Sequence, residues 1–99
     1  MSEARFILME AIARQKAVSA RYNGEIVKLA PHLLFERHGN LFVSALNMTK
    51  VWRSDDERRL GQFNLAGLVE AQLLDEGFEA LPSFRPETPR PDDTLILAI

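Results

Sequence analysis

Few side chains in this chain are equipped for chemistry. His32 and His38 stand six residues apart in "HLLFERH", but a zinc centre takes three or four ligands with a supporting outer shell, and no third ligand of suitable spacing follows. Ser44 sits in "LFVSALN" without a Gly-x-Ser-x-Gly elbow or an acid to orient a neighbouring base, so it reads as a small residue giving room inside a tight fold. The run Asp55-Asp56-Glu57 has the character of a solvated loop rather than an ion site. The chain has no cysteine, which removes both a thiolate nucleophile and a disulfide framework. No nucleophile, base and oxyanion site can be assembled from these groups, and the reading is of a non-enzymatic protein that needs neither metal nor cofactor.

Binding chemistry remains. Arg53, Arg58 and Arg59 flank the acidic run and, with Arg21, Lys28 and Arg37, can supply a phosphate-contacting surface. Trp52 beside Arg53 adds a plane on which a nucleobase or single-stranded nucleic acid can stack. The net charge is only −2, yet residues 1–59 carry ten Lys/Arg against seven Asp/Glu, and residues 60–99 two against seven. A local basic patch is therefore compatible with the mild overall acidity. No apolar run approaches the roughly 18 residues of a membrane span, and "MSEARF" lacks the basic start and apolar core of a secretory signal. A soluble, cytoplasmic protein with no membrane partner is expected.

The elements that must position these groups follow from pattern and punctuation. Ala4 to Lys16 has no Gly or Pro and wraps Phe6, Leu8, Met9, Ala11, Ile12 and Ala13 around a helical stripe, with Ser2 placed to cap its start and Glu10 four residues before Arg14. Asn23-Gly24 is a two-residue hairpin loop, which pairs Tyr22 with Glu25, Ala20 with Val27 and Val18 with Leu29. Pro31 should open a strand or mark a sharp bend. A second hairpin turns near Gly39 with two registers open: a His38-Gly39 loop pairs Phe35 with Phe42, and a Gly39-Asn40 loop pairs Phe35 with Ser44. Alternation from Phe63 through Leu65, Gly67, Val69 and Ala71 to Leu73 predicts one long strand with a bulge or bend at Gly67, favoured over a competing helix from Ala66 to Leu74 because the alternation is unbroken. Phe6, Phe35, Phe63 and Phe78 are the expected aromatic core. Pro82, Pro86, Pro89 and Pro91 suit an extended arm leading to the apolar "TLILAI", a strand expected to complete a sheet edge in this subunit or in a neighbour.

In "ILMEAIARQKAVSARYNG", "LAPHLLFERHGNLFVSALN" and "FNLAGLVEAQLLDEGFE", this helix, paired hairpins, Pro-His opening and Phe-x-Leu strand resemble the WYL domain family over about residues 7–79. The resemblance implies a mainly β, α+β fold: an N-terminal helix packed on a small Sm-like or SH3-like β-barrel of about five strands. It assigns residues 1–80 to that domain and leaves 81–99 as the Pro-rich arm and terminal strand. It also implies a sensory module of the kind found in bacterial transcription regulators and defence systems, binding a nucleotide or a nucleic-acid segment and working with a regulator or defence-system protein. Leu41, Phe42 and Val43 stand where the family has Trp-Tyr-Leu, and Ala66-Gly67 where it has Asp-Arg. A ligand site here would draw on Tyr22, His32, Phe42, Ser44, Asn47, Arg53 and Arg59. The alternative is a self-associating interaction protein whose pocket has degenerated, forming a homodimer through Leu95, Ile96, Leu97 and Ile99.

Overall fold

In the computed structural model, which describes residues 3–99, helix α1 runs from Glu3 to Arg14. Ala4, Leu8, Ala11 and Ile12 are buried along one side of it, the spacing that lines residues up on one helical face. Arg14 bonds Glu10 at 2.8 Å on the outer face. Phe6, expected in the core, is exposed beneath the guanidinium of Arg5, because it lies off the Ala4-Leu8-Ile12 stripe. The helix ends before Gln15, whose positive φ of 51° turns the chain into the sheet. The expected cap at Ser2 falls outside the described residues.

Six antiparallel strands follow: β1 (Lys16–Tyr22), β2 (Glu25–Arg37), β3 (Asn40–Asn47), β4 (Leu60–Asn64), β5 (Val69–Gly77) and β6 (Thr94–Ala98). Their order across the sheet is β4-β3-β2-β1-β5, and β6 also pairs with β2. Asn23 and Gly24 take φ of 52° and 80°, giving the register read from sequence, Tyr22 with Glu25 through Val18 with Leu29. His38 and Gly39 repeat the device with φ of 51° and 80°. The second hairpin therefore takes the register that places Phe35 opposite Phe42, and the two rings stack at 5.5 Å.

Two expectations about strands are corrected. Pro31 does not start a strand; it lies inside β2, at an irregularity where the register with β3 slips between Pro31 and Leu33. The slip leaves His32 as the bulged residue, and the missing Pro31 N–H falls where the ladder is already irregular. The strand predicted from Phe63 to Leu73 is two strands separated by a 3₁₀ turn, Leu65–Gly67. Asn64 makes the break: its side chain accepts the Ala66 N–H at 3.0 Å, an alternative to ladder bonding that Asn offers readily. Leu65 and Leu68 are both buried while Val69 is half exposed, so the period-two phase does not survive the turn.

β2 is buried on both faces from Leu29 to Phe35. On one side α1 packs with Val18, Leu29, Leu34, Val43, Ala45, Leu65 and Leu68 into the main core. On the other, Ala30, Leu46 and Leu81 form a smaller cluster with Met48, Trp52, Leu60, Phe78 and Phe84. The Pro-rich segment is thus folded onto the sheet, with turns closed by Phe84 N–H to Leu81 O at 2.9 Å and Asp93 N–H to Arg90 O at 3.1 Å. Arg37 and Asp93 then staple the entry to β6 through two bonds of 2.7 and 2.9 Å. β6 lies against the stretch of β2 beyond the reach of β1, Leu97 opposite Leu34 and Leu95 opposite Phe35. Among the described residues no helix is long and apolar enough to cross a membrane.

Candidate functional site

The sheet and the folded-back segment leave a cavity of about 300 Å³ between them. Strands β2 to β4 supply Leu33, Ser44, Leu60 and Gln62 to its floor, the loop before β4 supplies Arg58 and Arg59, and the C-terminal segment supplies Leu81, Ser83, Phe84 and Arg85. Alternation along β3 aims Ser44 at this side while Val43 faces the main core. Glu87 and Pro89 complete the rim. The lining combines apolar walls with hydroxyl, amide and guanidinium donors, the usual composition of a small-ligand site.

Electrostatics distinguish Arg53, Arg59 and Arg85 from the other cations that could have met a phosphate. Arg21 is paired with Glu70 at 3.4 Å, Lys28 with Glu76 at 2.8 Å and Arg37 with Asp93 at 2.7 Å. Those three are committed to carboxylates within the fold. Arg53, Arg59 and Arg85 make no ion pair among the described residues. Arg59 also lines a neighbouring cleft of about 440 Å³ with Lys50, Trp52, Arg53 and Glu57. One guanidinium therefore borders both depressions.

The sequence-derived site residues divide accordingly. Ser44 and Arg59 meet at the first cavity, and Arg53 joins Arg59 at the second. Tyr22 packs edge-on against Phe63 at 5.2 Å, and Phe42 lies under the Arg37 guanidinium. Asn47 works locally, its side chain accepting the Thr49 N–H and its carbonyl accepting Trp52 Nε1–H at 3.2 Å. The Trp52 ring has the Lys50 ammonium 4.4 Å from its centroid and shares the smaller apolar cluster.

His32 has no exposed surface. Its Nδ1 lies 2.8 Å from the Ala30 carbonyl, and Nε2 lies 3.1 Å from the Leu81 amide nitrogen. An amide can only donate, so Nε2 accepts and the ring is neutral with its proton on Nδ1. Burial pushes its pKa down, opposed in part by the bond to Ala30. Phe78 and Phe84 pack on the ring at 5.2 and 5.1 Å. His32 thus holds the outer wall of the cavity from behind.

Ser44 Oγ makes no hydrogen bond to a histidine or carboxylate among the described residues, and its neighbour His32 has both nitrogens engaged. Arg85, Ser83 and Gln62 escaped the sequence reading because nothing local marks them; the only hint was the apolar spacing of Leu81 and Phe84 inside a proline-rich stretch. Comparison of the chain with protein-family models, with curated proteins and with solved structures finds no match.

Proposed function

We propose that this chain is a non-enzymatic, WYL-like regulatory module that binds a small anionic ligand of the nucleotide class in the Ser44-Arg59-Arg85 cavity. The observation that carries this reading is the convergence of two guanidiniums, Arg59 and Arg85, which make no ion pair among the described residues, on a pocket that also holds Ser44, Gln62 and Ser83. A volume of about 300 Å³ lies at the low end of small-molecule sites, which run from about 300 to 1,000 Å³. It suits a mononucleotide or part of one, and is too small for a dinucleotide. Guanidinium groups match phosphate oxygens in pairs, and the apolar walls formed by Leu33, Leu60, Leu81 and Phe84 suit a base or sugar face.

The accompanying fold reading is a small Sm-like or SH3-like barrel. It is supported by the strand order, in which the two end strands β4 and β5 follow one another in the chain. Only Leu65 to Leu68 separate them, and residues extend at most about 3.6 Å each, so the ends of the sheet must curl toward one another. A regulator or defence-system protein as partner, and cytoplasmic location, complete the proposal.

Titration with mononucleotides at low salt, followed by calorimetry and by Trp52 fluorescence, tests it. Removing both Arg59 and Arg85 by alanine substitution should weaken binding by tenfold or more, since each hydrogen bond to a charged group contributes about 1.5–3 kcal/mol. Arg21→Ala, which touches a guanidinium already paired with Glu70, should leave it unchanged. Tighter binding of short single-stranded oligonucleotides, with a steep salt dependence, would shift the reading to a strand running from this cavity past Arg59 to Trp52 and Arg53. Absence of any response at millimolar nucleotide and oligonucleotide would overturn the ligand-binding reading.

A further inference from the structure

A sheet edge left open presents unpaired N–H and C=O groups to any extended chain that meets it, and folded proteins blunt such edges with charge, proline, bulges or short length. β5 is blunted in this way: it carries Glu70, Asp75 and Glu76, and its register with β1 slips twice. β4 is only five residues long and follows directly on Arg58 and Arg59. β6 is as short as β4 and its register with β2 also shifts once, but its composition sets it apart from both. Thr94–Ala98 contains no charged residue and no proline, and among the described residues its backbone pairs only with β2. Leu97 reaches the main core, but Leu95 and Ile96 are 47% and 41% exposed. Ile96 has no Cα partner on β2, since the register jumps from Leu34–Leu97 to Phe35–Leu95. An apolar side chain is thereby left half exposed at the middle of the strand.

We propose that β6 is a dimerisation strand, pairing antiparallel with β6 of a second copy about a two-fold axis at Ile96. Only an extended backbone can satisfy the edge, which restricts the occupant to a β-strand. The side chains then select this chain itself. A two-fold antiparallel pair centred on Ile96 sets Leu95 against Leu97 and Thr94 against Ala98 of the other copy, so apolar meets apolar and small meets small, with no like charges facing across the axis. The nearest carboxylate, Asp93, is already neutralised by the bidentate Arg37, and a net charge of −2 per chain opposes association only weakly. A charged peptide would find no complementary group along the strand. Since the contact is one short strand and two half-exposed side chains, the dimer is concentration-dependent rather than permanent.

The test uses the full chain without nucleotide, so its failure would leave the reading of the cavity untouched. Mass in solution is measured from micromolar to millimolar protein for the wild type and for Ile96→Lys, with circular dichroism and Trp52 fluorescence to confirm that both are folded. Because the chain has no cysteine, Ile96→Cys gives a clean cross-linking probe. Residues facing each other across paired strands hold their Cβ atoms about 4.5–5.5 Å apart, near disulfide range. Val51→Cys, on a loop and 92% exposed, is the control. The expected result is a wild-type mass that climbs from 11.2 kDa toward twice that value, an Ile96→Lys variant that stays monomeric, and cross-linking of Ile96→Cys at least tenfold faster than the control. A wild type that is monomeric at every concentration, a dimer that Ile96→Lys leaves intact, or equal cross-linking of the two cysteine variants would overturn the proposal.

Discussion

Replacing His32 by Phe isolates the energetic role of one buried imidazole. The phenyl ring occupies nearly the same space and keeps the contacts to Phe78 and Phe84, now at 5.2 and 5.1 Å, but it cannot accept the Leu81 N–H or donate to the Ala30 carbonyl. An orphaned buried donor costs about 1–3 kcal/mol, and the carbonyl, which has a second lone pair, adds less. His32→Phe should therefore lose about 1–3 kcal/mol in urea unfolding followed by circular dichroism. His32→Ala, which also leaves a cavity, should lose about 3–5 kcal/mol. The loss should be local as well as global, with hydrogen exchange at the Leu81 amide accelerated about tenfold for each 1.4 kcal/mol of local opening. A pH dependence follows with a definite sign. Burial lowers the folded pKa of His32 from 6.5, so between that value and the lowered one the unfolded chain binds more protons than the folded chain. The stabilisation is complete above pH about 6.5 and declines as pH falls through the window below it. His32→Phe should lack that share of the acid-side slope. A variant as stable as the wild type at pH 7.5, or one that keeps the full slope, would refute the reasoning that His32 seats the C-terminal segment through a neutral imidazole.

The other expectations concern the turns, the break between β4 and β5, and the staple on β6. Gly24→Ala or Gly39→Ala places a Cβ at φ of 80°, which costs about 1–2 kcal/mol and should lower the melting temperature by about 4–8 °C per kcal/mol. Gly67→Ala brings a Cβ to 3.0 Å from the Tyr22 ring; forcing that ring off its edge-on contact with Phe63 should cost about 1–3 kcal/mol, and Tyr22→Ala in the same background should relieve part of it in a double-mutant cycle. Asp93→Asn removes the charge that Arg37 holds by two hydrogen bonds, the contact that keeps the Asp93 pKa below its ordinary 3.8. The wild type loses this contribution as pH falls below about 4, so acid titration monitored by circular dichroism should show a shallower acid limb for the variant.

The local elements were legible because their determinants are local. An uninterrupted apolar stripe makes α1, and Asn23-Gly24 reaches positive φ and so fixes the register of the first hairpin. The choice between two registers at Gly39 was not local: both loops are acceptable as turns, and stacking of Phe35 on Phe42 under Arg37, with Val43 and Ala45 in the main core, selects one. Similarly, alternation from Phe63 to Leu73 gave no sign of the break at Leu65–Gly67, because an Asn that closes a turn and an Asn that sits in a strand look alike until the chain must cross from β3 to β1.

The site followed the same division. Residue type nominated Ser44, Arg53 and Arg59 as polar groups on or beside an apolar strand, and the tertiary fold brings them to two adjoining clefts. Which cations stay available for a ligand depended on carboxylates far away in sequence: Glu70 for Arg21, Glu76 for Lys28 and Asp93 for Arg37. His32 shows the limit most clearly. Its position beside Pro31 suggested a strand end and the family resemblance a ligand groove, whereas the bulge it occupies and the return of Leu81 over the sheet bury it completely. Sequence alone determined the helix, the hairpins and the stock of polar groups, since short-range sterics and periodicity act within a few residues. Only the tertiary structure decided which of those groups share a cavity, because that depends on where the proline-rich return segment packs.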